Sequence, residues 1–263
     1  MAKTLAHISD LHIGRDAHTD AAVSEIAAAL LDAGVDDVLV TGDVTHRGRR
    51  VELAACLNAL SPLAKRLLLV PGNHDRLGED VGGALMPGSR VQAEHRPGLF
   101  VIRLDSTAPH NRHLIAAHGE LSPNDVAAVE GAVANAPTDA LVVLMLHHHL
   151  LPLPADHLTE RLSSLLGWPN AAELFLGRYL VDRLCGRCDL ILHGHRHAAS
   201  ELVLHSNSNR PLRVLNAGST PELGRARVIT HVSGRIVAEK WLQVSSGRRQ
   251  RAPGRSPASS AAA

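Results

Sequence analysis

The stretch Val38-Leu39-Val40-Thr41-Gly42-Asp43 joins an apolar run directly to a glycine and a carboxylate. A short apolar run of this composition is typical of a strand that is buried on both faces. Gly42 lets the backbone turn tightly, so Asp43 can stand at the carboxyl end of that strand. Residue types that ligate metals sit at or just after an apolar run at four further places. The five clusters are Asp10-Leu11-His12, Gly42-Asp43, Gly72-Asn73-His74-Asp75, His147-His148-His149 and Gly194-His195-Arg196-His197.

The first 70 residues alternate between strand and helix patterns. Strands are predicted at 5–8, 38–40 and 66–70, and helices at 21–31 and 51–60. This β-α-β-α-β order predicts parallel strands covered by helices. Because ligands of open α/β sheets bind at the carboxyl ends of the strands, the five clusters are predicted to meet in one site.

The remainder of the chain adds strands and two helices. Ser122-Pro123-Asn124-Asp125 predicts a helix start, with Ser122 as the N-cap and Asp125 three residues later. A further helix is predicted over 171–184. Strands are predicted at 99–104, 141–146, 190–192, 201–205, 212–215, 227–232 and 235–244, with Ser233-Gly234 as the turn of a hairpin between the last two.

Composition narrows the class of protein. A chain of 263 residues with 45% hydrophobic content fits one large α/β domain, placed at 1–245 and followed by a disordered Arg/Ser/Pro/Ala-rich tail at 246–263. The formal charge of +1 argues against nucleic acid or a membrane as a partner. No signal peptide or membrane span is evident, which predicts a cytoplasmic protein. Cys185 and Cys188 form a lone C-x-x-C pair, interpreted as reduced or buried thiols rather than a redox or zinc site.

The clusters offer carboxylate, amide and imidazole donors but no thiolate, which suits manganese, iron, zinc or cobalt better than a structural zinc site. Asp10 and His12 flank Leu11, so in an extended segment both side chains would point the same way. The carboxylate of Asp43 can bridge two cations about 3.5–4 Å apart. The conjunction of the five clusters therefore predicts a dinuclear metal site.

The order of these motifs, D-x-H, G-D-x-x-x-x-G, G-N-H-D, H-H and G-H-x-H, resembles the calcineurin-like metallophosphoesterase superfamily over residues 4 to about 220. The resemblance implies an α/β fold in which two mixed sheets lie in a four-layer α-β-β-α sandwich. It implies two divalent or trivalent metal ions, here manganese, iron or zinc. It assigns Asp10, His12 and His197 to one metal, Asn73, His147 and His195 to the other, and Asp43 to the bridge.

The resemblance also assigns roles beyond the ligands. His74 would face the scissile phosphate and stabilise charge or protonate the leaving group. Asp75 would hydrogen-bond His74 or its loop. Within the triplet, His147 is preferred as the ligand because it directly follows the strand, with His148 as second choice. His193 would support the site or the fold without binding metal.

A second resemblance, through His118-Gly119-Glu120-Leu121-Ser122, is to the bacterial cyclic nucleotide phosphodiesterases and glycerophosphodiesterases. It implies a phosphodiesterase that acts on a small-molecule phosphoester by in-line attack of a metal-activated water. Phosphomonoesterase, nucleotide pyrophosphatase, nuclease and a non-catalytic metal-binding scaffold are the alternatives. Arg47, Arg49 and Arg50 are weak evidence for a nuclease.

The sequence departs from the family pattern after the histidine triplet. Relatives commonly have a proline soon after the histidine pair, whereas Leu150-Leu151 precedes Pro152 here. Residues 150–170 are long and apolar, which predicts either a lid or oligomer contact, with a homodimer as one outcome, or a loop packed on its own domain.

Overall fold

The computed structural model describes residues 1–108, 119–152, 174–205 and 207–246 of the chain. Short apolar runs form most of the strands there, and the alanine- and leucine-rich segments form the longer helices. The strands are β1 Lys3–Ile8, β2 Asp37–Thr41, β3 Leu67–Val70, β4 Val91–Arg96, β5 Leu99–Leu104, β6 Leu141–Met145, β7 Leu190–His193, β8 Ser200–Leu204, β9 Leu212–Asn216, β10 Arg225–Val232 and β11 Arg235–Gln243. The α-helices are α1 Ala17–Asp32, α2 Arg50–Ala59, α3 Gly82–Leu85, α4 Pro123–Ala134, α5 Gly177–Leu184 and α6 Thr220–Leu223, and 3₁₀ turns occupy Ser61–Arg66 and His74–Arg76.

Two mixed sheets form the centre of the molecule. The first has the order β11-β10-β1-β2-β3, in which β1, β2 and β3 are parallel and β10 and β11 are antiparallel additions. The second has the order β4-β5-β6-β7-β9-β8, in which β5, β6, β7 and β9 are parallel and the two edge strands are antiparallel. The predicted parallel β1-β2-β3 unit is thereby confirmed.

The alternation of side chains along the buried strands builds a four-layer arrangement. In β6, Leu141, Val143 and Met145 enter the core between the two sheets, whereas Val142 and Leu144 enter the core beneath α4 and α5. A third core lies between the first sheet and helices α1 and α2. The predicted sandwich of two sheets between two helical layers is confirmed.

Some predicted boundaries are confirmed closely and others are wrong. Helix α4 begins as expected, since the Ser122 hydroxyl accepts from the backbone N–H of Asp125 and the Asp125 carboxylate accepts from the backbone N–H of Ser122. The helix predicted over 171–184 begins only at Gly177 among the described residues. A β-carbon at Gly177 would collide with the carbonyl of Leu150, so the chain makes a close crossing there before the helix starts.

Strand β4 was not predicted, because its polar sequence lacks an apolar run and it pairs at the sheet edge with β5. The predicted tail from 247 onward and most of the 150–170 segment lie outside the described residues. Within the described part of the chain, no helix combines the length and apolarity needed to cross a bilayer.

Candidate metal centre

The five sequence clusters meet where the carboxyl ends of β1, β2, β3, β6 and β7 converge. Backbone hydrogen bonds join the loops that carry them: the N–H of Asp10 donates to the carbonyl of Gly42 at 3.1 Å, and the N–H of Gly194 donates to the carbonyl of His147 at 3.1 Å. The site therefore lies across both sheets, and all seven predicted ligands are brought together in it.

The first group of donors is Asp10, His12 and His197. The Nε2 atoms of His12 and His197 are 3.0 Å apart, and Nε2 of His197 lies 3.6 Å from an oxygen of Asp10. One donor atom from each of the three residues falls within 4.8 Å of the other two. This spacing is compatible with a single ion held by two imidazoles and one carboxylate.

The second group is Asn73, His147 and His195. The side-chain oxygen of Asn73 lies 3.0 Å from Nε2 of His147 and 3.1 Å from Nδ1 of His195. The two imidazole nitrogens are 3.3 Å apart. Two nitrogens and a neutral oxygen thus converge on one small volume.

Asp43 lies between the two groups. Its Oδ2 atom is 3.7 Å from Nε2 of His12 in the first group and 3.4 Å from Nε2 of His147 in the second. The Asp43 side chain is almost fully buried. One carboxylate is therefore placed to contact ions in both positions at once.

Close backbone approach makes room for these side chains. A β-carbon on Gly42 would lie 2.5 Å from Nδ1 of His147, and one on Gly72 would collide with Asp43. A β-carbon on Gly194 would likewise collide with Ser9 and lie 2.6 Å from Oδ2 of Asp10. The glycines beside the clusters are thus required by the packing of the donor atoms.

The backbone that presents the donors is not extended. Asp10, His12, Asp43, His195 and His197 all have positive φ, between 48° and 74°. Asp10 and His12 do converge on one small volume, but the expected reason, alternation along an extended segment, is wrong. Left-handed turns aim them instead, in a conformation that costs a non-glycine residue roughly 1 kcal/mol or more and that clusters at functional sites.

The electrostatics of the centre favour a cation. Burial alone would lower the pKa of His147, but the carboxylates of Asp43 and Asp10 outweigh it and raise that pKa to about 9. Burial lowers the pKa of His12 to about 3, although the Asp43 carboxylate opposes this. The carboxylates thus stabilise a proton on His147. A metal ion that replaces this proton would be stabilised by the same negative charges. The donor set and its charge fit divalent metal ions.

His147 is oriented by groups behind it. Its Nδ1 hydrogen-bonds the carbonyl of Thr41 at 2.8 Å, which leaves Nε2 facing Asn73 and Asp43. Nδ1 of His148 lies 3.0 Å from the hydroxyl of Ser106 instead. His148 nevertheless lies within reach of His147 and His195 as a third donor, so the structure keeps both histidines of the sequence prediction close to the centre.

His74 and Asp75 have separate partners. Nδ1 of His74 lies 2.7 Å from the carbonyl of His46, and the backbone N–H of His74 donates to Asp43 at 2.8 Å. Asp75 is fully buried and accepts from the backbone N–H of Gly72 at 2.8 Å and of Thr45 at 2.9 Å. Asp75 was predicted to hydrogen-bond either His74 or its loop, and it bonds the loop. The His74 ring is held instead by the backbone carbonyl of His46.

Sequence reasoning did not find two residues at the rim. The ring of His46 stacks against that of His74 with centroids 5.5 Å apart. Glu222 lies 3.7 Å from Nδ1 of His197 and is paired with Arg15 at 2.6 Å. The neighbouring His197 and Arg15 lower the pKa of Glu222 to about 2 despite partial burial. His46 occupies one of the unspecified positions of the G-D-x-x-x-x-G motif and Glu222 lies outside every motif, so neither residue carried a signal of its own.

The remaining predictions concern residues beside the centre. His193 is buried, and its Nδ1 lies 3.3 Å from the carbonyl of Gly194 and 3.4 Å from the side-chain nitrogen of Asn216, in keeping with a supporting role. Leu150, where the family pattern breaks, is buried in the core of the second sheet. Cys185 and Cys188 are free thiols, as predicted, and burial raises the pKa of Cys188 to about 12.

A carboxylate and imidazole centre at the common edge of two mixed sheets defines the chain as a metal-dependent hydrolase of phosphoric esters. Residues 3–199 match the family model described as calcineurin-like phosphoesterase, and the chain belongs to that family.

Individual relatives agree with this assignment. A probable cyclic nucleotide phosphodiesterase of Vesicomyosocius okutanii is 25% identical over 215 residues, which cover 76% of this chain and 81% of the relative. Glycerophosphodiester phosphodiesterase GpdQ of Enterobacter lignolyticus is 30% identical over 172 residues, covering 57% of this chain and 58% of that protein. The crystal structure of a dimetal phosphatase from Danio rerio matches with a TM-score of 0.60 at 13% identity, covering 92% of this chain and 99% of the other, and this likeness supports the fold.

Proposed function

We propose that this chain is a phosphodiesterase that hydrolyses small phosphodiesters of the cyclic nucleotide or glycerophosphodiester type. The observation that carries the proposal is the position of Asp43, within 3.7 Å of His12 and 3.4 Å of His147, between two groups of donors. Relatives named as a probable cyclic nucleotide phosphodiesterase and a glycerophosphodiester phosphodiesterase support diesters as the substrate class.

In this proposal the seven donors divide as their distances suggest. Asp10, His12 and His197 would hold one ion and Asn73, His147 and His195 the other, with Asp43 placed to contact both. Two such ions, when bound, polarise the phosphoester and lower the pKa of a water for in-line attack on phosphorus. Manganese, iron and zinc all suit this mixed set of nitrogen and oxygen donors.

The chain's own groups keep the donors in place for that chemistry. The carbonyl of Thr41 fixes the Nδ1 side of His147, so the Nε2 lone pair is directed at the centre. Asp75 ties the loop after β2 to the loop after β3 and acts as a positioning residue, because its carboxylate is fully buried. These contacts hold the centre in one geometry before the substrate arrives.

His74 is proposed as the catalytic residue that meets the substrate. It is partly exposed at the rim. With Nδ1 donating to the carbonyl of His46, its Nε2 is the nitrogen free to approach a phosphoester. There it stabilises the negative charge that develops on phosphate oxygens or gives a proton to the leaving group.

A metal-reconstituted activity panel tests the proposal. The substrates are bis(p-nitrophenyl) phosphate, p-nitrophenyl phosphate, cyclic AMP, glycerophosphocholine and a nucleotide pyrophosphate, each assayed with manganese, iron and zinc. We expect kcat/KM to be highest for one of the diesters and to fall by at least about a hundredfold in Asp43→Asn. A preference for the monoester or the pyrophosphate with every metal would contradict the diester assignment, and no turnover of any ester would favour a non-catalytic scaffold.

A further inference from the structure

His46 is a rim residue that the seven donors and His74 leave without a role. It lies on the loop after β2, three residues beyond Asp43. Its ring stacks on that of His74 at an interplanar angle of 26°, and it meets the His12 ring edge-on at 5.7 Å between centroids. Like His74, it is partly exposed. The two stacked imidazoles are therefore both partly open to solvent beside the donor groups.

The backbone holds His46 rigidly in this position. The loops after β1 and β2 pair as a short parallel bridge at Ile13 and Thr45. The backbone N–H of His46 donates to the carbonyl of Ile13 at 2.9 Å, and its own carbonyl accepts from His74. The backbone of His46 is thus hydrogen-bonded at both its N–H and its carbonyl, and its ring is stacked on His74. Such a residue loses little conformational freedom when it binds a ligand.

The nitrogens of this group are spaced for a phosphate. One nitrogen from each of His12, His46 and His74 lies within 4.8 Å of the other two. Two donors at that separation can each reach an oxygen of one phosphoryl group at normal hydrogen-bond length. The Nδ1 atom of His46 is buried and has no hydrogen-bond partner among the described residues. On this partly exposed residue, Nε2 is therefore the nitrogen offered to a ligand oxygen.

A third metal ion is the competing occupant of these nitrogens, and the existing contacts disfavour it. Nε2 of His12 already faces His197 at 3.0 Å and Asp43 at 3.7 Å, inside the first donor group. Nδ1 of His74 is engaged by the carbonyl of His46. Such an ion would find few nitrogens that are not already engaged. A phosphate needs only one hydrogen from His46 and one from Nε2 of His74.

We infer that His46 is a second substrate-contacting imidazole, which acts with His74 to bind the phosphoryl group of the phosphoester. This inference rests on the proposed function, since it places the same scissile phosphate at the rim of the metal centre. Because the contact is a hydrogen bond from a ring nitrogen, the effect of His46 should depend on its nitrogens and not merely on its stacked ring.

The test compares His46→Phe, His46→Gln and His46→Ala in metal-reconstituted protein. Phenylalanine keeps a ring beside His74 but has no nitrogen, whereas glutamine keeps a donor but has no ring. Inorganic phosphate is the probe, and its binding is measured by calorimetry alongside kcat and KM for the best diester. We expect phosphate to bind about tenfold more weakly to the Phe and Ala variants, and glutamine to restore about a third of the wild-type affinity or better.

The matched control is His95→Gln, an exposed histidine on edge strand β4. It pairs with Phe100 near the start of β5, at the opposite end of the sheet from the donor clusters. We expect it to bind phosphate like the wild type, and we expect the same number of ions per chain in all variants. Wild-type phosphate affinity in His46→Phe would overturn the inference, and so would the loss of one bound ion in that variant.

The two proposals fail in distinguishable ways. If the wild type turns over no phosphoester yet His46→Phe weakens phosphate binding, the proposed function fails and His46 keeps only a phosphate-binding role. If the wild type is an active diesterase and His46→Phe matches it in phosphate affinity, kcat and KM, only the role of His46 fails.

Discussion

The carboxylate of Asp75 accepts two hydrogen bonds from Thr45, one from its backbone N–H at 2.9 Å and one from its hydroxyl at 2.7 Å. It also accepts from the backbone N–H groups of Gly72 at 2.8 Å and Val44 at 3.3 Å. One buried side chain thus joins the loop that carries Asp43 to the loop after β3. Asp75 therefore links two of the loops that carry the candidate donors, from a buried position behind them.

Removal of this carboxylate should destabilise the fold and reduce activity. Asp75→Ala leaves four buried donors without their acceptor, at about 1–3 kcal/mol for each unsatisfied group. Burial and the nearby Asp43 carboxylate raise the pKa of Asp75 to about 6, so some charge repulsion is relieved in return. We expect a net loss of about 2–4 kcal/mol in the free energy of unfolding, measured by urea denaturation. Asp32→Ala, at the exposed end of α1, is the control, and an unchanged midpoint for Asp75→Ala would contradict this account.

A single methyl group at Gly72 should disable the centre. A β-carbon there would collide with the backbone nitrogen and the carboxylate of Asp43, so Gly72→Ala must displace the proposed bridging residue. We expect kcat to fall by about a hundredfold or more, because displacements near 1 Å have effects of that size. Gly131→Ala is the matched control, since a β-carbon in that helical position meets nothing within 4 Å. It should leave activity unchanged and raise stability by about 0.5–1 kcal/mol. Equal activity in the two variants would contradict the prediction.

The choice between His147 and His148 can be decided by a matched pair of substitutions. Nε2 of His147 faces Asn73 and Asp43, whereas Nδ1 of His148 is hydrogen-bonded to Ser106. His147→Asn should therefore lower the metal content by about one ion per chain, and His148→Asn should leave it near the wild-type value. Metal analysis after dialysis gives the result, with circular dichroism to verify folding. The reverse pattern would move the ligand to His148.

The stability of the protein should depend on pH through His7. Burial, together with Arg227 and His193, holds the pKa of His7 well below 6.5, and its Nε2 lies 3.0 Å from the hydroxyl of Thr41. Folded His7 therefore stays neutral while the unfolded chain gains a proton below about pH 6.5, so stability is lost as the pH falls through that value.

Urea denaturation of the wild type and His7→Gln from pH 7.5 to 4.5, with excess chelator in both, measures this term. Between pH 6.5 and 4.5 the wild type should lose up to about 1.4 kcal/mol per pH unit more than His7→Gln. Parallel pH profiles for the two proteins would show that His7 is not the group responsible.

Much of the architecture could be predicted because single residues and simple periods encode it. The apolar run of β6 fixes a buried strand, and Ser122 and Asp125 fix the start of α4. The hairpin turn at Ser233 and Gly234 follows from two residues that adopt positive φ there. Strand β4 could not be predicted, since its partner β5 rather than its own composition determines its pairing.

The composition of the centre was easier to predict than its geometry. Strand ends carrying Asp, Asn and His indicated which donors meet, and all seven lie together. The directions of their side chains could not be predicted, because Asp10 and His12 adopt left-handed backbone conformations that run against local preference. Both residues are hydrogen-bonded through their backbone N–H groups to the loop after β2. The position of His46 could not be predicted for a related reason: its ring contacts His74 and His12, which are distant in sequence.

The domain limit at residue 245 and homodimer formation remain predictions.

Asp43 is placed to join two metal positions, and equilibrium metal binding to variants of this residue measures whether it does. Manganese and zinc are titrated by calorimetry into metal-free wild type and into Asp43→Asn, with Asn58→Ala on the exposed face of α2 as control. We predict about two ions per chain for the wild type and the control, with weakened binding at both positions in Asp43→Asn. Wild-type protein that binds no ion, or Asp43→Asn that binds two ions as tightly as the wild type, would contradict the account.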